Sequence, residues 1–502
     1  MKHRIMALAC LAALIFVGCS QATEDSIYES SRVEIVNMGT DSLSFEEKYD
    51  ECSQKYPGKT ILVWLTEWQP KYEQQLNDYL YSNEYDYVVC FKNILDYENG
   101  DSYYQIASDM INNGEQIDLI DSFGVMFGQE AISNNYYYYS EHGMFEALDV
   151  YLSDNKYSEY FNMMPQKYWD SYKYKGRIYG IDNSFSSLYA DNGYAISNKV
   201  FEETDFTPED FQKPPFELTQ QFKLCHQILN RKTELGSHFF TSNFYYANYI
   251  DEGIAIVENK AVNVYNTDEA LDFYKNLNTM QNEEYVILDP SALSESEMPI
   301  INSISSAASF TTTVVNDYFD ITKVFYQSNN YIKNPTRAIG ISSKSQNKAM
   351  AFDFLINVTF NSEMNNVITY GMEEVNYMID ENGYVQMLAD KTNVEYSPDI
   401  IYNNPMVALS CLTAPDEIYS RDFYSAYETA EYLDGFGFLF DGTAIKDTYV
   451  NVVDTIMDFN PSSDNIEAYL NEFNQKLYNA GLQDIIDEAN RQLEVYNNEK
   501  NN

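Results

Sequence analysis

Side chains suited to catalysis are few and scattered in this sequence. It has four histidines: His3 lies at the N-terminus, and His142, His226 and His238 are isolated. The motifs H-E-x-x-H, G-x-S-x-G and G-x-G-x-x-G are absent. Gly58-Lys59-Thr60 matches only the end of a P-loop, and it precedes an apolar run instead of following one. The sequence therefore supports neither a histidine-based metal site nor a Ser–His triad, and we predict no cofactor, metal or catalytic residue.

Carboxylates are the abundant reactive group. The chain has 77 Asp and Glu residues, and two carboxylates about 5 or 9 Å apart would have glycosidase geometry. With so many acids such pairs arise by chance, so a single Asp or Glu is most simply a surface charge. Asp380-Glu381-Asn382-Gly383 lacks the spacing and the final Glu of a calcium loop, and we interpret it as a tight hairpin turn.

Aromatic residues are more informative than the acids. The sequence has 46 tyrosines and three tryptophans. Trp64 lies inside an apolar run and is predicted in a core, whereas Trp68 follows that run and is equally compatible with a ligand cleft and with helix packing. The segment 435–440 alternates glycine with phenylalanine, which suits a ligand-admitting surface or a buried turn. Tyr136 to Tyr139 cannot share one face of an element, so we predict that some are exposed.

The elements that would position these residues begin near residue 57. Apolar runs at 59–64, 85–91 and 117–121 predict strands, and helical spacing predicts helices over 69–81 and 101–113. This alternation predicts right-handed crossovers and a parallel sheet, so the fold class is α/β. Ligands of such sheets lie beyond the carboxyl ends of the strands.

Later elements are predicted from shorter patterns. Gly176 separates two alternating runs, as in a hairpin, and strands are predicted at 188–196 and 337–342. A helix is predicted over 218–229 and an amphipathic one over 348–359.

The C-terminal end is predicted to be helical. Ser463-Asp464 is an N-cap signal, the apolar stripe from Ile466 to Leu477 follows it, and Gly481 ends the helix before a last one.

Charge and composition exclude one large class of function. Lys and Arg number 31 against 77 acids, so the formal charge is 31 − 77 = −46, and such a surface repels nucleic acid. The chain is not a disordered acidic tail, because 45% of its residues are hydrophobic. Its 502 residues predict two or three domains.

The N-terminus reads as a secretory signal over residues 1–18, with a basic start, a short apolar run and Gly18. Cys19 after Phe16-Val17-Gly18 resembles a bacterial lipoprotein signal, which implies lipidation of Cys19, although Leu is usual at position 16. An ordinary signal with a chance cysteine is the alternative. Residues 19–56 are then a tether and lead-in. The other cysteines are widely spaced, so no disulfide framework or cysteine metal site is predicted, and Cys90 and Cys225 are predicted as small buried residues.

Seven motifs in order resemble the extracellular solute-binding proteins of ABC importers, family 1-like and carbohydrate-type, from Gram-positive bacteria. Asp182 stands where that family has proline, and Ser197 where it has an aromatic residue. The motifs lie at 61–64, 114–120, 168–170 with 175–181, 194–199, 342–350, 369–377 with 437–441, and 470–482.

The resemblance implies an α/β, two-lobe, type II-like Venus-flytrap fold with hinge crossovers and a helical C-terminus. One lobe would comprise 57–182 plus 340–390, and the other 184–338 plus 391–498. The crossovers would fall near 183–184, near 339–340 and around residue 390. It further implies a monomer held by lipid on the extracellular face of the cell membrane, which delivers solute to ABC permease subunits and is not an enzyme.

We predict ligand contacts from strand ends and crossovers. A sugar or oligosaccharide fits the family and the combination of aromatic rings with Asp, Glu and Asn acceptors. The family's sugar-stacking aromatic is missing at Ser122 and Ser197, so a cationic or peptidic solute remains an alternative, as does, less favourably, a surface glycoside hydrolase. The predicted contacts are Glu67, Trp68, Asp121, Ser122, Phe123, Asn183, Phe185, Phe436 and Phe438.

Overall fold

The structure is a computed structural model of the chain, and it describes residues 43–500 with gaps. The predicted signal 1–18, Cys19, Phe123, Cys225 and the predicted helix 218–229 lie outside the described residues. The described residues are 43–97, 102–122, 136–183, 185–189, 193–203, 207, 249–251, 253–282, 301–304, 321–325, 331–381, 383, 385–388, 402–404, 406–407, 409, 424–456, 458–460, 463 and 465–500.

Strands and helices alternate in the first region, as predicted. In chain order this region contains α1 (Phe45–Lys55), β1 (Thr60–Thr66), α2 (Glu73–Ser82), β2 (Tyr87–Asn93), α3 (Tyr103–Asn112) and β3 (Leu119–Asp121). β1 pairs in parallel with both β2 and β3. Nearly every residue of β1 and β2 is buried, which is why both strands read as continuous apolar runs.

Short elements follow. They are α4 (Tyr136–Glu141), α5 (Asp149–Leu152), α6 (Ser158–Met163), α7 (Gln166–Ser171), β4 (Lys173–Tyr174), β5 (Arg177–Ile178) and β6 (Gly180–Ile181). The predicted hairpin at Gly176 is confirmed, because β4 and β5 pair antiparallel around it. Lys175 and Gly176 both have positive φ, at 48° and 79°, which is the conformation that a two-residue hairpin turn needs.

The remaining elements complete two lobes. They are β7 (Leu188–Tyr189), β8 (Gly193–Ser197), α8 (Asn198–Glu203), β9 (Tyr249–Asp251), β10 (Ile254–Val257), β11 (Lys260–Asn263), α9 (Asp268–Asn282), β12 (Ile301–Ile304), β13 (Ile321–Phe325), β14 (Tyr331–Ile332), β15 (Ile339–Ile341), α10 (Lys348–Phe360), α11 (Ser362–Tyr370), β16 (Tyr377–Ile379), β17 (Val385–Met387), β18 (Glu431–Tyr432), α12 (Lys446–Ile456), α13 (Ile466–Ala480) and α14 (Leu482–Lys500).

The main sheet has the order β2-β1-β3-β15-β6. Its first three strands are parallel as predicted, but β15 pairs antiparallel with β3 and with β6, so the sheet is mixed. Because β15 runs the other way, its amino end meets the carboxyl end of β3. Residues just before β15 are therefore brought to the edge where β1 and β3 end.

Two large apolar cores show that the chain crosses between lobes three times. The first core draws on residues 45–188, 332–372 and 402–439, and the second on 201–274 and 438–496. The crossing segments contain β7, β14 and β18, which pair as one three-stranded sheet that we term the hinge sheet.

The third crossover differs from its predicted position. It was expected around residue 390, with 391–498 in the second lobe, yet Tyr402, Tyr427 and Ala430 are buried in the first core. These described residues between 402 and 430 therefore belong to the first core, and the chain crosses at β18, which nothing local in the sequence marks. The other lobe boundaries stay a prediction.

The four consecutive tyrosines of α4 correct another prediction, because none is exposed. Tyr136, Tyr137 and Tyr139 are at most 1% exposed, and Tyr138 is half-buried. The Tyr136 hydroxyl donates to the Tyr172 carbonyl at 2.6 Å, and that of Tyr137 donates to the Ser171 carbonyl at 3.1 Å. Backbone acceptors thus satisfy hydroxyls that would otherwise resist burial.

Helix α10 also differs from prediction. It was expected to bury one face, but described residues around its whole circumference are buried, from Ala351 to Phe360. The helix packs against α11, β15 and β6, so it lies inside the first lobe instead of on its surface. The sequence of α10 contains more apolar residues than one buried face needs, but its periodicity alone did not show that the helix is buried all round.

Several smaller predictions have clear outcomes. Trp64 and Cys90 are at most 1% exposed, as expected. The hairpin at Gly383 is confirmed by pairing of β16 with β17. Gly481, with φ of 107°, ends α13 as predicted.

The predicted cap at Ser463-Asp464 is wrong. Helix α13 begins at Ile466, and the side chain of Asn465 accepts a hydrogen bond from the Ala468 amide at 3.2 Å. Asn465 is itself a good capping residue, so the true cap lies one residue after the predicted pair. In the described part of the chain, no helix is long and apolar enough to cross a membrane.

Candidate functional site

A buried polar cluster lies where the carboxyl ends of β1 and β3 meet the first and second crossovers. We term it the strand-end cluster; its members are Thr66, Asp121, Asp182, Arg337 and Tyr402. Each is at most 7% exposed. This edge is the place where the sequence predicted a ligand.

An ion pair fixes the centre of the cluster. Nε of Arg337 donates to Oδ1 of Asp121 at 3.1 Å, and Nη2 donates to Oδ2 at 2.6 Å. Burial lowers the pKa of Arg337, but attraction to Asp121 outweighs burial and raises that pKa overall. For Asp121 burial is the larger influence and raises the pKa, while Arg337 opposes it. The pair ties the end of β3 to the start of β15, and its two aligned hydrogen bonds favour the ionised forms of both groups.

Tyr402 joins this pair to the end of β1. Its hydroxyl donates to the Trp68 carbonyl and lies 3.4 Å from Oγ1 of Thr66. The Arg337 guanidinium lies over its ring, 5.9 Å from the centroid. Tyr402 comes from the segment that the sequence assigned to the other lobe, so no local pattern could have placed it here.

Asp182 anchors the first crossover to the cluster. Oδ2 accepts hydrogen bonds from the Tyr172 hydroxyl and from the Ser186 amide, both at 2.8 Å. Its carbonyl accepts from the Tyr168 hydroxyl at 2.7 Å. This aspartate therefore holds the chain at the point where it leaves the first lobe.

Ser122, another predicted ligand contact, is enclosed in this structure. Its side chain is fully buried, and Oγ donates to the Ala338 carbonyl at 2.8 Å while accepting from the Ala338 amide at 3.1 Å. The serine hydroxyl clamps β3 to the second crossover, so a solute cannot reach it in this conformation.

Glu67 and Trp68 remain partly accessible just past β1. Oε1 of Glu67 accepts from the Tyr103 hydroxyl at 3.3 Å, and the Trp68 amide donates to Oγ1 of Thr66 at 3.2 Å. The cluster thus fixes the backbone of Trp68. Both residues are half-buried, with Oε2 of Glu67 and Nε1 of Trp68 enclosed by protein. Both lie just beyond the carboxyl end of β1, and their contact with a ligand stays a prediction.

Two predicted contacts lie at the start of the first crossover. Asn183 is 3% exposed and directly follows Asp182. Phe185 is 4% exposed, has φ of 55°, and packs on Tyr168 and Tyr427 with centroids 6.0 and 6.1 Å apart. Phe185 is consequently packed in the first core, and its predicted contact with a ligand stays a prediction.

Phe436 and Phe438 lie at the third crossover, apart from the strand ends. Phe436 is half-buried and packs on Tyr432 at 4.7 Å, and its carbonyl accepts from the Tyr496 hydroxyl at 2.6 Å. Phe438 is 5% exposed in the second core. Of the two, only Phe436 retains accessible surface for a solute.

Sequence reasoning missed Arg337, Asp182 and Tyr402 as site residues. Arg337 carried one usable signal, since it is a cation at the start of a predicted strand in a chain with 77 acids. Among the described residues, no group of three or more His, Cys, Asp or Glu side chains could hold a metal ion. The cluster offers fixed acceptors, donors and ring edges at a lobe junction, a set that can bind a polar solute.

Solved structures similar to this chain are solute-binding proteins. The N-glycan transport solute binding protein of Streptococcus pneumoniae is 15% identical, covers 87% of this chain and 99% of its own, and has a TM-score of 0.64. Its complex with Man5GlcNAc has a TM-score of 0.56 at 14% identity, over 87% of this chain and 98% of that one. An extracellular solute-binding protein from Bifidobacterium longum subsp. infantis is 10% identical over 87% and 98%, with a TM-score of 0.50. The two-lobe α/β fold expected from the sequence is therefore confirmed.

One family profile matches the C-terminal end. It is described as a domain of unknown function, DUF3502, and covers residues 435–498. This segment begins at the third crossover and contains α12, α13 and α14, which belong to the second core. No curated protein matches the chain.

Proposed function

We propose that this protein is the solute-binding component of an ABC importer, and that it captures a sugar or oligosaccharide between its lobes and delivers it to permease subunits. The observation that carries the proposal is the pair of cores joined by the three-stranded hinge sheet, in a fold shared over 87% of the chain with an N-glycan transport solute binding protein. A solute that contacts both lobes favours their closed arrangement by its additional contacts there.

The proposed solute contacts are chosen by how much of each predicted residue is accessible to solvent. Glu67 and Trp68 border solvent at the end of β1, and Phe436 borders it at the third crossover. Asp121 and Asn183 lie deeper and would be reached only by groups that enter the lobe junction. An aromatic ring beside fixed oxygen acceptors suits a polyhydroxylated solute, because sugars present apolar ring faces and hydroxyl donors together.

Calorimetric titration tests the proposal. The purified protein is titrated with neutral oligosaccharides, including Man1GlcNAc and Man5GlcNAc, and in parallel with polyamines and short peptides. Saturable heat with a sugar is expected. Heat with polyamines or peptides alone would replace the sugar by a cationic or peptidic solute.

A second arm addresses catalysis. The proposal is that the protein binds without turnover, so chromatography of each sugar after prolonged incubation is expected to return it intact. Cleavage at a constant rate per protein molecule would support the hydrolase alternative.

The proposal includes an anchor on the outer face of the cell membrane, as a monomer. Cys19, in its lipoprotein-like setting, would receive the lipid. The formal charge of 31 − 77 = −46 on the whole chain disfavours direct attraction to an anionic membrane surface. Palmitate labelling in cells is expected for the natural chain and lost in Cys19→Ala. Equal labelling of both would place the lipid elsewhere, and absence of label from both would contradict the anchor.

A further inference from the structure

Lys333 lies in the second crossover, immediately after β14 of the hinge sheet. Its backbone amide donates to the Ser187 carbonyl of the first crossover at 2.9 Å, which fixes its position between the two connections. The next residue, Asn334, is bonded to the third crossover: Nδ2 donates to the Phe438 carbonyl and Oδ1 accepts from the Gly437 amide. Lys333 thus stands where all three crossovers are held together.

The ammonium group of Lys333 differs from the other enclosed cations. Lys92 pairs with Glu115 at 2.5 Å, and Arg337 pairs with Asp121 at 2.6 Å. No carboxylate among the described residues lies within ion-pair distance of Lys333. In a chain with 77 acids and 31 bases, an enclosed lysine without an acid beside it is unexpected.

Lys333 is half-buried, so part of its surface stays accessible where the crossovers meet. Burial lowers the pKa of this lysine, which is the sign of an ammonium that has lost water without gaining a partner.

An enclosed charge without a counter-ion costs free energy, and an anionic ligand group would offset that cost. We propose that Lys333 binds a carboxylate of the solute, so that the captured oligosaccharide is acidic and carries a uronic or sialic acid; this rests on the proposed function. One lysine supplies one positive charge, which matches a carboxylate. A phosphate monoester carries up to two negative charges, and a single ammonium would leave the second unpaired.

Paired sugars test this assignment. Calorimetry compares galactotriose with trigalacturonic acid, and N-acetyllactosamine with its 3′-sialyl form. The acidic member of at least one pair is expected to bind at least tenfold more tightly. Lys333→Gln is expected to remove the preference for the acidic sugar while leaving the affinity for the neutral sugar within twofold. Lys333→Arg is expected to retain most of the preference for the acidic sugar. Lys260→Gln, at an exposed position of β11, removes the same charge and is expected to change nothing.

A stability measurement separates a binding role from a structural one. Because Lys333 has no partner to lose, Lys333→Met is expected to melt at the same or a higher temperature than the natural protein. A lower melting temperature would show that the lysine serves the fold and would overturn the inference.

The binding outcomes also separate the two proposals. Binding of a neutral sugar without preference for its acidic partner, or equal loss of both in Lys333→Gln, would overturn the role of Lys333 and leave the sugar-binding function standing. Failure of the natural protein to bind any neutral or acidic sugar would contradict both.

Discussion

Arg337 and Asp121 show how single residues hold the ligand edge in place. The guanidinium and the carboxylate are 6% and 0% exposed, so water screens neither charge. Their two hydrogen bonds connect the end of a central strand to the second crossover. Loss of one partner would leave the other charge buried, which is far more costly than loss of the pair.

We predict that Arg337→Met lowers the free energy of unfolding by about 3–5 kcal/mol, because Asp121 is left as an uncompensated buried charge. Urea denaturation measures the loss. Arg491→Gln is the matched control, since its pair with Glu488 leaves the guanidinium 64% exposed, and it should leave the curve unchanged. Replacing Asp121 by Leu in the Arg337→Met background should recover part of the loss; no recovery would contradict the charge argument.

Trp68 is the aromatic ring best placed to touch a solute. Trp68→Ala is expected to weaken sugar binding about tenfold, because the ring supplies apolar contact area that alanine lacks. Calorimetry with the sugar identified for the natural protein measures the change. Tyr81→Ala removes a 40% exposed ring at the far end of α2 and should bind normally. Equal affinity of the two variants would remove Trp68 from the site.

Cys52 gives a prediction on pH dependence. Burial, assisted by Glu73, raises the pKa of its thiol to about 12. Only the thiolate reacts, so at pH 8 very little of the Cys52 thiol is reactive in the folded protein. Alkylation by iodoacetamide at pH 8, followed on the Cys52 peptide by mass spectrometry, should be slow natively, rise between pH 8 and pH 9.5, and be fast in urea. Equal native and unfolded rates at pH 8 would contradict the raised pKa.

At the scale of elements, the C-terminal helices show how one residue connects two segments. Gly481 joins α13 to α14 with φ of 107°, and a Cβ there would lie 2.3 Å from Cγ2 of Thr448. Thr448 belongs to α12, so the glycine allows three helices to meet. The match of residues 435–498 to one domain family covers this same unit.

Gly481→Ala is expected to lower the melting temperature for two reasons. The left-handed backbone costs about 1–2 kcal/mol with a side chain, and Thr448 must also move. Gly114→Ala is the control, because Gly114 follows α3 with φ of 85° but a Cβ there meets nothing within 4 Å. The Gly481 variant should therefore lose more than the control, and equal losses would show that the contact with Thr448 relaxes freely.

At the scale of the molecule, the hinge sheet decides how the lobes can move. Three short strands connect two separately packed cores, so rotation about them leaves both cores intact. Small-angle X-ray scattering is expected to give a smaller radius of gyration with saturating sugar than without it. A sugar that calorimetry shows not to bind serves as control. An unchanged radius with a bound sugar would contradict closure.

Local sequence determined a large part of this protein. β1 and β2 are buried on both faces and therefore stand out as continuous apolar runs in the sequence. Turn glycines such as Gly176 and Gly481 mark the ends of elements. The sequence predicts both features because they depend on neighbouring residues alone. The order of such elements also predicted the parallel strands of the main sheet, whereas the two-lobe fold was implied by a resemblance to a known family. The parallel strands placed Glu67 and Trp68 beyond the carboxyl end of β1, since such strands end on one side of a sheet.

Tertiary structure decided what depends on distant segments. Tyr402 reaches Trp68 from 334 positions along the chain, and Arg337 reaches Asp121 from 216. The burial of Ser122, the position of the third crossover at β18 and the lone ammonium of Lys333 likewise follow from which segments meet. Periodicity fixes how a segment folds and which face is apolar, but the partner of a buried charge is chosen only when remote segments pack together.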